Sequence, residues 1–233
     1  MINKNVLAKA VSDWSGYKEP VSNLSKRENK PSLVDSDFVM FNFDRITKDI
    51  HDAAKCPTSV DALYVSERAL DFVEFKSGFK RRITKDTLTK EIARCKHMID
   101  KEFECDDYWE LFWKNQNHEK EILLRGLKLK AIESYNTLER KILRECPQTA
   151  NNANVKVKLT FVIDEIGIEN MESSLGELAG KPTTTTNCFT ILKESLKRLA
   201  VQKDVEGNDY HYDSIDVISV VDFLNRVKEH NYA

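Results

Sequence analysis

The sequence predicts an α/β fold in which helices lie on both sides of a sheet. Seven glycines and five prolines in 233 residues are too few for an all-β protein with many tight turns. Apolar residues recur at helical spacing in several long segments, and short runs of β-branched and aromatic residues separate these segments. The resulting order is a helix, a β-hairpin, a helix, a strand, a helix, a strand and a helix.

Composition narrows the class of protein. The chain is 41% hydrophobic and 32% charged, which is typical of an ordinary globular protein. No apolar run approaches the roughly 18–20 residues of a membrane span, and the N-terminus lacks the apolar stretch of a signal peptide. We therefore expect a cytoplasmic protein with no membrane partner.

The five cysteines are odd in number and never spaced as CxxC, which indicates neither a disulfide framework nor a zinc site.

The first third of the chain contains a predicted extension and a predicted helix. Residues 1–35 are polar, with little periodicity, and predict an N-terminal extension made of a short helix and a loop. Residues 36–233 are predicted to form the α/β domain. A helix is predicted over 37–54, because apolar residues recur there at steps of three and four. Pro57 follows and cannot continue a helix.

The remaining elements follow from the same reasoning. Two strand-like runs, 59–65 and 70–76, are separated by only four residues, which indicates a hairpin. Residues 79–117 predict a helical insertion. Downstream, the pattern predicts a long helix, a strand, a helix, a strand and a short helix, at about 118–145, 155–163, 188–201, 215–220 and 222–229.

The predicted hairpin brings two carboxylates and a lysine to one face. If the chain turns between Glu67 and Arg68, Asp61 lies opposite Glu74. Side chains on a strand repeat with a period of two, so Lys76 shares that face. Opposed carboxylates destabilise a sheet unless a cation neutralises them. A hard divalent cation with oxygen ligands, such as Mg²⁺ or Mn²⁺, would do so.

An acid on one strand and Glu/Asp-x-Lys on the next resembles the signature of the PD-(D/E)xK nuclease superfamily. The matching residues are Asp61, Glu74 and Lys76, although the family's proline is displaced: Pro57 lies four positions before Asp61. The resemblance implies a restriction-endonuclease-like core, with a mixed sheet flanked by helices. It also implies an Mg²⁺- or Mn²⁺-dependent nuclease in which Asp61 and Glu74 bind the metal and Lys76 activates water.

The resemblance implies further site residues on two helices. The family usually supplies another acid from the helix before the hairpin. Asp49 is the predicted residue because it flanks the apolar stripe at Ile50, and Asp44 remains the alternative. The family also often places a basic or polar residue on the helix after the hairpin. Lys130 and Ser134, four apart on one flank of the long helix, fit that place and are predicted to contact nucleic acid.

A basic segment directly follows the predicted site. Lys80, Arg81 and Arg82 would hold a phosphate backbone without reading its sequence, although a solvated helix face is the alternative for any one of them. The predicted partner is nucleic acid, DNA more than RNA. Whether the chain forms a homodimer or is a subunit of a larger system stays open. The alternative function is a catalytically inactive nuclease-fold module that binds nucleic acid or a protein.

Overall fold

The computed structural model describes seven segments of the chain, namely residues 2–3, 13–27, 30–66, 69–77, 122–143, 154–164 and 212–229. The chain divides into two compact units. Every strand given below belongs to the unit that comprises Met1–Ser77, Lys128–Asp164 and Leu196–Ala233.

That unit is built on a mixed sheet. Its described strands are β1 (Ile2–Asn3), β2 (Lys18–Pro20), β3 (Val39–Asn42), β4 (Ala62–Val65), β5 (Ala69–Lys76), β6 (Asn154–Ile163) and β7 (Ser214–Ser219). The order across the sheet is β2-β3-β4-β5-β6-β7, and β1 pairs with the beginning of β6. Strands β5, β6 and β7 run parallel, whereas the other pairs are antiparallel. The predicted α/β class is therefore confirmed.

Helices lie on both sides of this sheet. They are α1 (Val21–Leu24), α2 (Phe43–Ile50), α3 (residues 122–137, continued by the π-helical turn Leu138–Ile142) and α4 (Val220–Lys228). None of these described helices is long and apolar enough to cross a membrane.

The two faces of β5 carry different cores. On one face, the ring of Phe72 packs edge-on against Phe43 of α2 and against Tyr212, with ring centroids 5.1 and 5.8 Å apart. The hydroxyl of Tyr212 donates to the backbone carbonyl of Ala131 in α3 at 2.7 Å. Successive strand residues face opposite sides, so Glu74 shares the Phe72 face, which is covered by α2 and α3.

The opposite face of β5 carries Val73 and Phe75, the two apolar neighbours of Glu74 in the sequence. Val73 and Phe75 are buried there in a cluster with residues of α1 and with Phe223 of α4. Burying a side chain of this size contributes about 1.5–3 kcal/mol. The apolar residues on both sides of Glu74 in the sequence therefore hold β5 in place while Glu74 points to the other face.

The hairpin and the later elements that lie within the described ranges form at or near the predicted positions. Within the hairpin, Val65 pairs with Leu70 and Ala62 with Val73, which is the predicted register. The predicted strands at 155–163 and 215–220 are β6 and β7, and the helix predicted at 222–229 is α4. The predicted helical insertion at 79–117 and the predicted helix at 188–201 fall on residues outside the described ranges.

Two predictions in the first third of the chain were wrong. Residues 37–54 are not one helix, because Val39–Asn42 forms strand β3 before α2 begins at Phe43. Met40 and Phe41, which face opposite sides of β3, are both buried, as suits a strand within the sheet. The Asn42 side chain then caps α2 by accepting from the Arg45 N–H. Residues 1–35 are not simply an extension, since Lys18–Pro20 pairs with β3 in the main sheet.

Candidate functional site

The backbone of the hairpin fixes Asp61 at one edge of the sheet. Asp61 directly precedes β4, and its carbonyl oxygen accepts a hydrogen bond from the Phe43 N–H at 3.2 Å. Its side-chain Oδ2 accepts from the Phe75 N–H at 2.8 Å. Because β4 is antiparallel to β5, this position lies at the carboxyl end of β5. The carboxyl edge of parallel strands is where α/β proteins commonly bind ligands.

Glu74 is the enclosed member of the pair. It is 1% exposed and lies on the face of β5 that is covered by α2 and α3. Its carboxyl group is within hydrogen-bonding reach of the Asp61 carboxyl group. Burial and, second, the negative charge of Asp61 raise the pKa of Glu74 from 4.5 to about 8, against the opposing effect of Lys130. Two carboxylates in this position therefore resist ionising together.

The pKa of Asp61 is also raised, although its side chain is more exposed to solvent than that of Glu74. Its side chain is 26% exposed. Burial raises the pKa of Asp61, while Lys130 and the Phe75 N–H act in the opposite direction. Both carboxyl groups thus have a raised pKa, chiefly because burial disfavours their charged forms.

Lys130 of α3 is the cation that meets this pair. Its Nζ lies 2.9 Å from both carboxylate oxygens of Glu74 and 3.6 Å from Oδ1 of Asp61. Burial lowers the pKa of Lys130, but the nearby carboxylates, Glu74 foremost, outweigh it and raise that pKa. The structure therefore brings Lys130 to the predicted site, although as a partner of the carboxylates.

Lys76 ends β5 two residues after Glu74 and is half-buried. Burial lowers the pKa of Lys76, and the positive charges of Arg27 and Lys130 lower it further, against the carboxylates of Glu74 and Asp61. A lysine with a lowered pKa loses its proton more readily than a surface lysine, so it can take part in proton transfer. Asp61, Glu74, Lys76 and Lys130 together are called the carboxylate–lysine cluster below.

Helix α3 also forms hydrogen bonds to residues 58–60, the segment directly before Asp61. The Glu133 carboxylate accepts from the Thr58 hydroxyl at 2.8 Å, and the Ser134 hydroxyl accepts from the Val60 N–H at 2.9 Å. Ser134 is 0% exposed. The prediction that Ser134 contacts nucleic acid was therefore wrong, because a fully buried hydroxyl that holds a backbone N–H is not presented to a ligand.

The predicted auxiliary acid is also in a different place. Asp49 is exposed, and its carboxylate accepts from the Tyr17 hydroxyl at 2.9 Å. Asp44, the alternative, accepts from the Ser59 hydroxyl at 2.9 Å and is close enough to Lys130 to raise its pKa. Asp44 is thus the acid of α2 that approaches the carboxylate–lysine cluster, and we correct the choice of Asp49 accordingly.

The residues present fit a hard divalent cation. Mg²⁺ usually keeps several waters and is bound through one or two carboxylates together with substrate phosphates. Asp61 and Glu74 offer two adjacent carboxyl groups whose charged forms are disfavoured by burial, and a bound cation would stabilise those charged forms. Within the described ranges, no group of three or more His, Cys, Asp and Glu side chains converges as a complete protein-only cage. The donor set therefore suits a cation that shares its ligands with water and substrate.

Glu133 is a site residue that the sequence reasoning missed, and it lies one helical turn from Lys130. Residues three and four apart share a helix face, so Lys130, Glu133 and Ser134 could have been grouped from their spacing. Predicted contacts by Lys80, Arg81 and Arg82 fall on residues outside the described ranges.

Comparison of the chain with protein-family models, curated proteins and solved structures gives no significant match.

Proposed function

We propose that this protein is a metal-dependent nuclease of the PD-(D/E)xK type, acting on DNA in preference to RNA. The observation that carries the proposal is the carboxylate–lysine cluster, in which two adjacent carboxyl groups meet two lysines at the carboxyl edge of the sheet. A mixed sheet with helices on both faces is compatible with a restriction-endonuclease-like core. We therefore propose both a restriction-endonuclease-like core and metal-dependent cleavage of phosphodiester bonds.

In this proposal Asp61 and Glu74 bind one Mg²⁺ or Mn²⁺ ion. A divalent ion bound there would supply Lewis-acid polarisation of a phosphate oxygen and a water molecule of lowered pKa. The burial of Glu74 keeps bulk water from competing for its oxygens. The Phe75 N–H orients the Asp61 carboxylate by holding Oδ2.

Lys76 takes the proton-transfer role. Its lowered pKa means that Lys76 gives up its proton more readily than a surface lysine, and the amine so formed would accept a proton from the attacking water at Nζ. In its protonated form the same group stabilises negative charge that develops on the phosphate. Both roles require Lys76 on the face that carries Glu74, which is where the alternation of β5 puts it.

A second candidate function is a non-catalytic module that binds nucleic acid or a protein. One observation favours it: Lys130 already contacts both Glu74 oxygens, so the cluster has a counter-charge without metal. The lowered pKa of Lys76 favours the nuclease, because a binding module has no use for a lysine that loses its proton readily.

Cleavage assays separate the two candidates. Labelled single- and double-stranded DNA and RNA are incubated with the protein in Mg²⁺, in Mn²⁺ and in EDTA. We expect phosphodiester cleavage that requires the metal. Glu74→Gln should abolish it, and Lys76→Met should lower the rate about 10²–10⁴-fold. Lys156→Met, an exposed lysine on β6, is the matched control and should cleave like the wild type.

Cleavage that persists in EDTA, or in Glu74→Gln protein of wild-type fold, contradicts the nuclease proposal. Retained nucleic-acid binding with no cleavage of any substrate in Mn²⁺ favours the non-catalytic module.

A further inference from the structure

From the geometry of α3 and β5 we infer that Lys130 is a tethered counter-ion: its ammonium group stands in the metal position and leaves when a divalent ion binds. The inference rests on the proposed function, because it concerns how the same site receives its metal. It assigns to Lys130 a competition with the metal, in addition to the predicted contact with nucleic acid.

The contacts of Lys130 are those that a bound cation would make. Its Nζ lies 2.9 Å from each of the two Glu74 oxygens and 3.6 Å from Oδ1 of Asp61. An ammonium group has three protons and no acceptor, so it can serve several carboxylate oxygens at once. A metal ion held by both residues would need the same oxygens. One position cannot hold both cations, and binding of either excludes the other.

The backbone around Lys130 is fixed while its side chain can move. The next residue, Ala131, accepts the buried hydrogen bond from Tyr212, and Ser134 holds the Val60 N–H one turn later. The Lys130 side chain is 28% exposed, in contrast to the 1% of Glu74. Release of the ammonium therefore requires only rotation of a long, flexible side chain toward solvent.

The released ammonium stays near the metal because the hydrogen bonds of Ala131 and Ser134 hold the backbone of α3 in place. An ammonium group held close to the metal can pair with an anionic oxygen of the substrate. Under the proposed function that substrate is a phosphodiester. Lys130 thus offsets part of the negative charge of Asp61 and Glu74 before the metal binds, and becomes available to phosphate after it binds.

Direct Mn²⁺ binding tests the inference without any measurement of cleavage. The full chain is titrated with Mn²⁺ by isothermal titration calorimetry, as wild type, Lys130→Met and Lys130→Gln. Removing the competing cation should tighten Mn²⁺ binding about tenfold or more, since a charge-assisted pair must otherwise be broken. Lys141→Met, an exposed lysine in the π-helical turn, is the matched control and should bind like the wild type.

Lys130→Gln keeps an amide that can donate to Glu74, so it remains informative if Lys130→Met does not fold. Folding of each variant is checked by circular dichroism. Equal or weaker Mn²⁺ binding by the folded Lys130 variants overturns the inference and leaves the proposed function standing. If neither the wild type nor any variant binds Mn²⁺, the metal site itself is wrong, and the proposed function fails with the inference.

Discussion

Substitution of Glu74 by glutamine should remove a large pH dependence of stability. The pKa of Glu74 rises from 4.5 to about 8 on folding, chiefly because the residue is buried. The folded protein therefore binds more protons than the unfolded chain between these two values, so stability falls as pH rises through this window. At about 1.36 kcal/mol per pKa unit the full effect is about 5 kcal/mol. The carboxyl group of Asp61 interacts with that of Glu74, so the two groups titrate as a pair and we expect roughly 2–5 kcal/mol to be observed.

The assay is urea unfolding of wild type and Glu74→Gln at intervals from about pH 5 to about pH 9, in EDTA. Glutamine resembles the neutral form of Glu74, so the two proteins should be similarly stable at the acidic end. The wild type should then become the less stable one as pH rises. Glu139→Gln, an exposed glutamate on the same helix as Lys130, is the matched control and should follow the wild type. Parallel curves for Glu74→Gln and wild type would refute the reasoning.

Two further predictions concern the neighbours of Glu74. Asp61→Asn keeps an acceptor for the Phe75 N–H but removes a negative charge, so it should lower the pKa of Glu74. Carbon-13 NMR of the Glu74 carboxyl group measures this pKa, and an unchanged value would show that the two carboxyl groups do not interact. Ser134→Ala leaves the buried Val60 N–H without its acceptor and should cost about 1–3 kcal/mol in urea unfolding, whereas a cost near zero would mean that this hydrogen bond does not anchor the segment.

The hairpin could be predicted from the sequence because its constraints are local. A strand period of two and a short connection together fix which residues face each other, and this placed Asp61 across from Glu74. The structure buries Val73, Glu74 and Phe75 alike. The raised pKa of Glu74 follows from that burial together with a like charge nearby.

The choice between Asp44 and Asp49 could not be made from periodicity. The apolar residues of β3 continue the helical spacing of α2, so the sequence predicted one helix and gave no sign that α2 begins at Phe43. Since β3 ends beside the start of β4, which Asp61 directly precedes, the first turn of α2 is the part nearest the cluster. Asp44 lies in that first turn, whereas Asp49 lies five residues after Asp44, about 7.5 Å further along the helix axis at about 1.5 Å per residue.

The burial of Ser134 and the sheet strand Lys18–Pro20 depend on contacts between distant segments. Spacing correctly placed Lys130 and Ser134 on one flank of a helix. It could not show that residues 58–60 would cover Ser134 and leave Lys130 partly open. Lys18–Pro20 is three residues long, too short to show a period, and only its pairing with β3 makes it a strand.

The position of a bound Mn²⁺ ion tests the central claim most directly. Crystals of the full chain grown with Mn²⁺ would locate the ion by its anomalous scattering. The account predicts one ion about 2.0–2.6 Å from carboxylate oxygens of both Asp61 and Glu74, with Lys130 moved off Glu74. Density for the ion at a different place, with Lys130 still bound to both Glu74 oxygens, would contradict it.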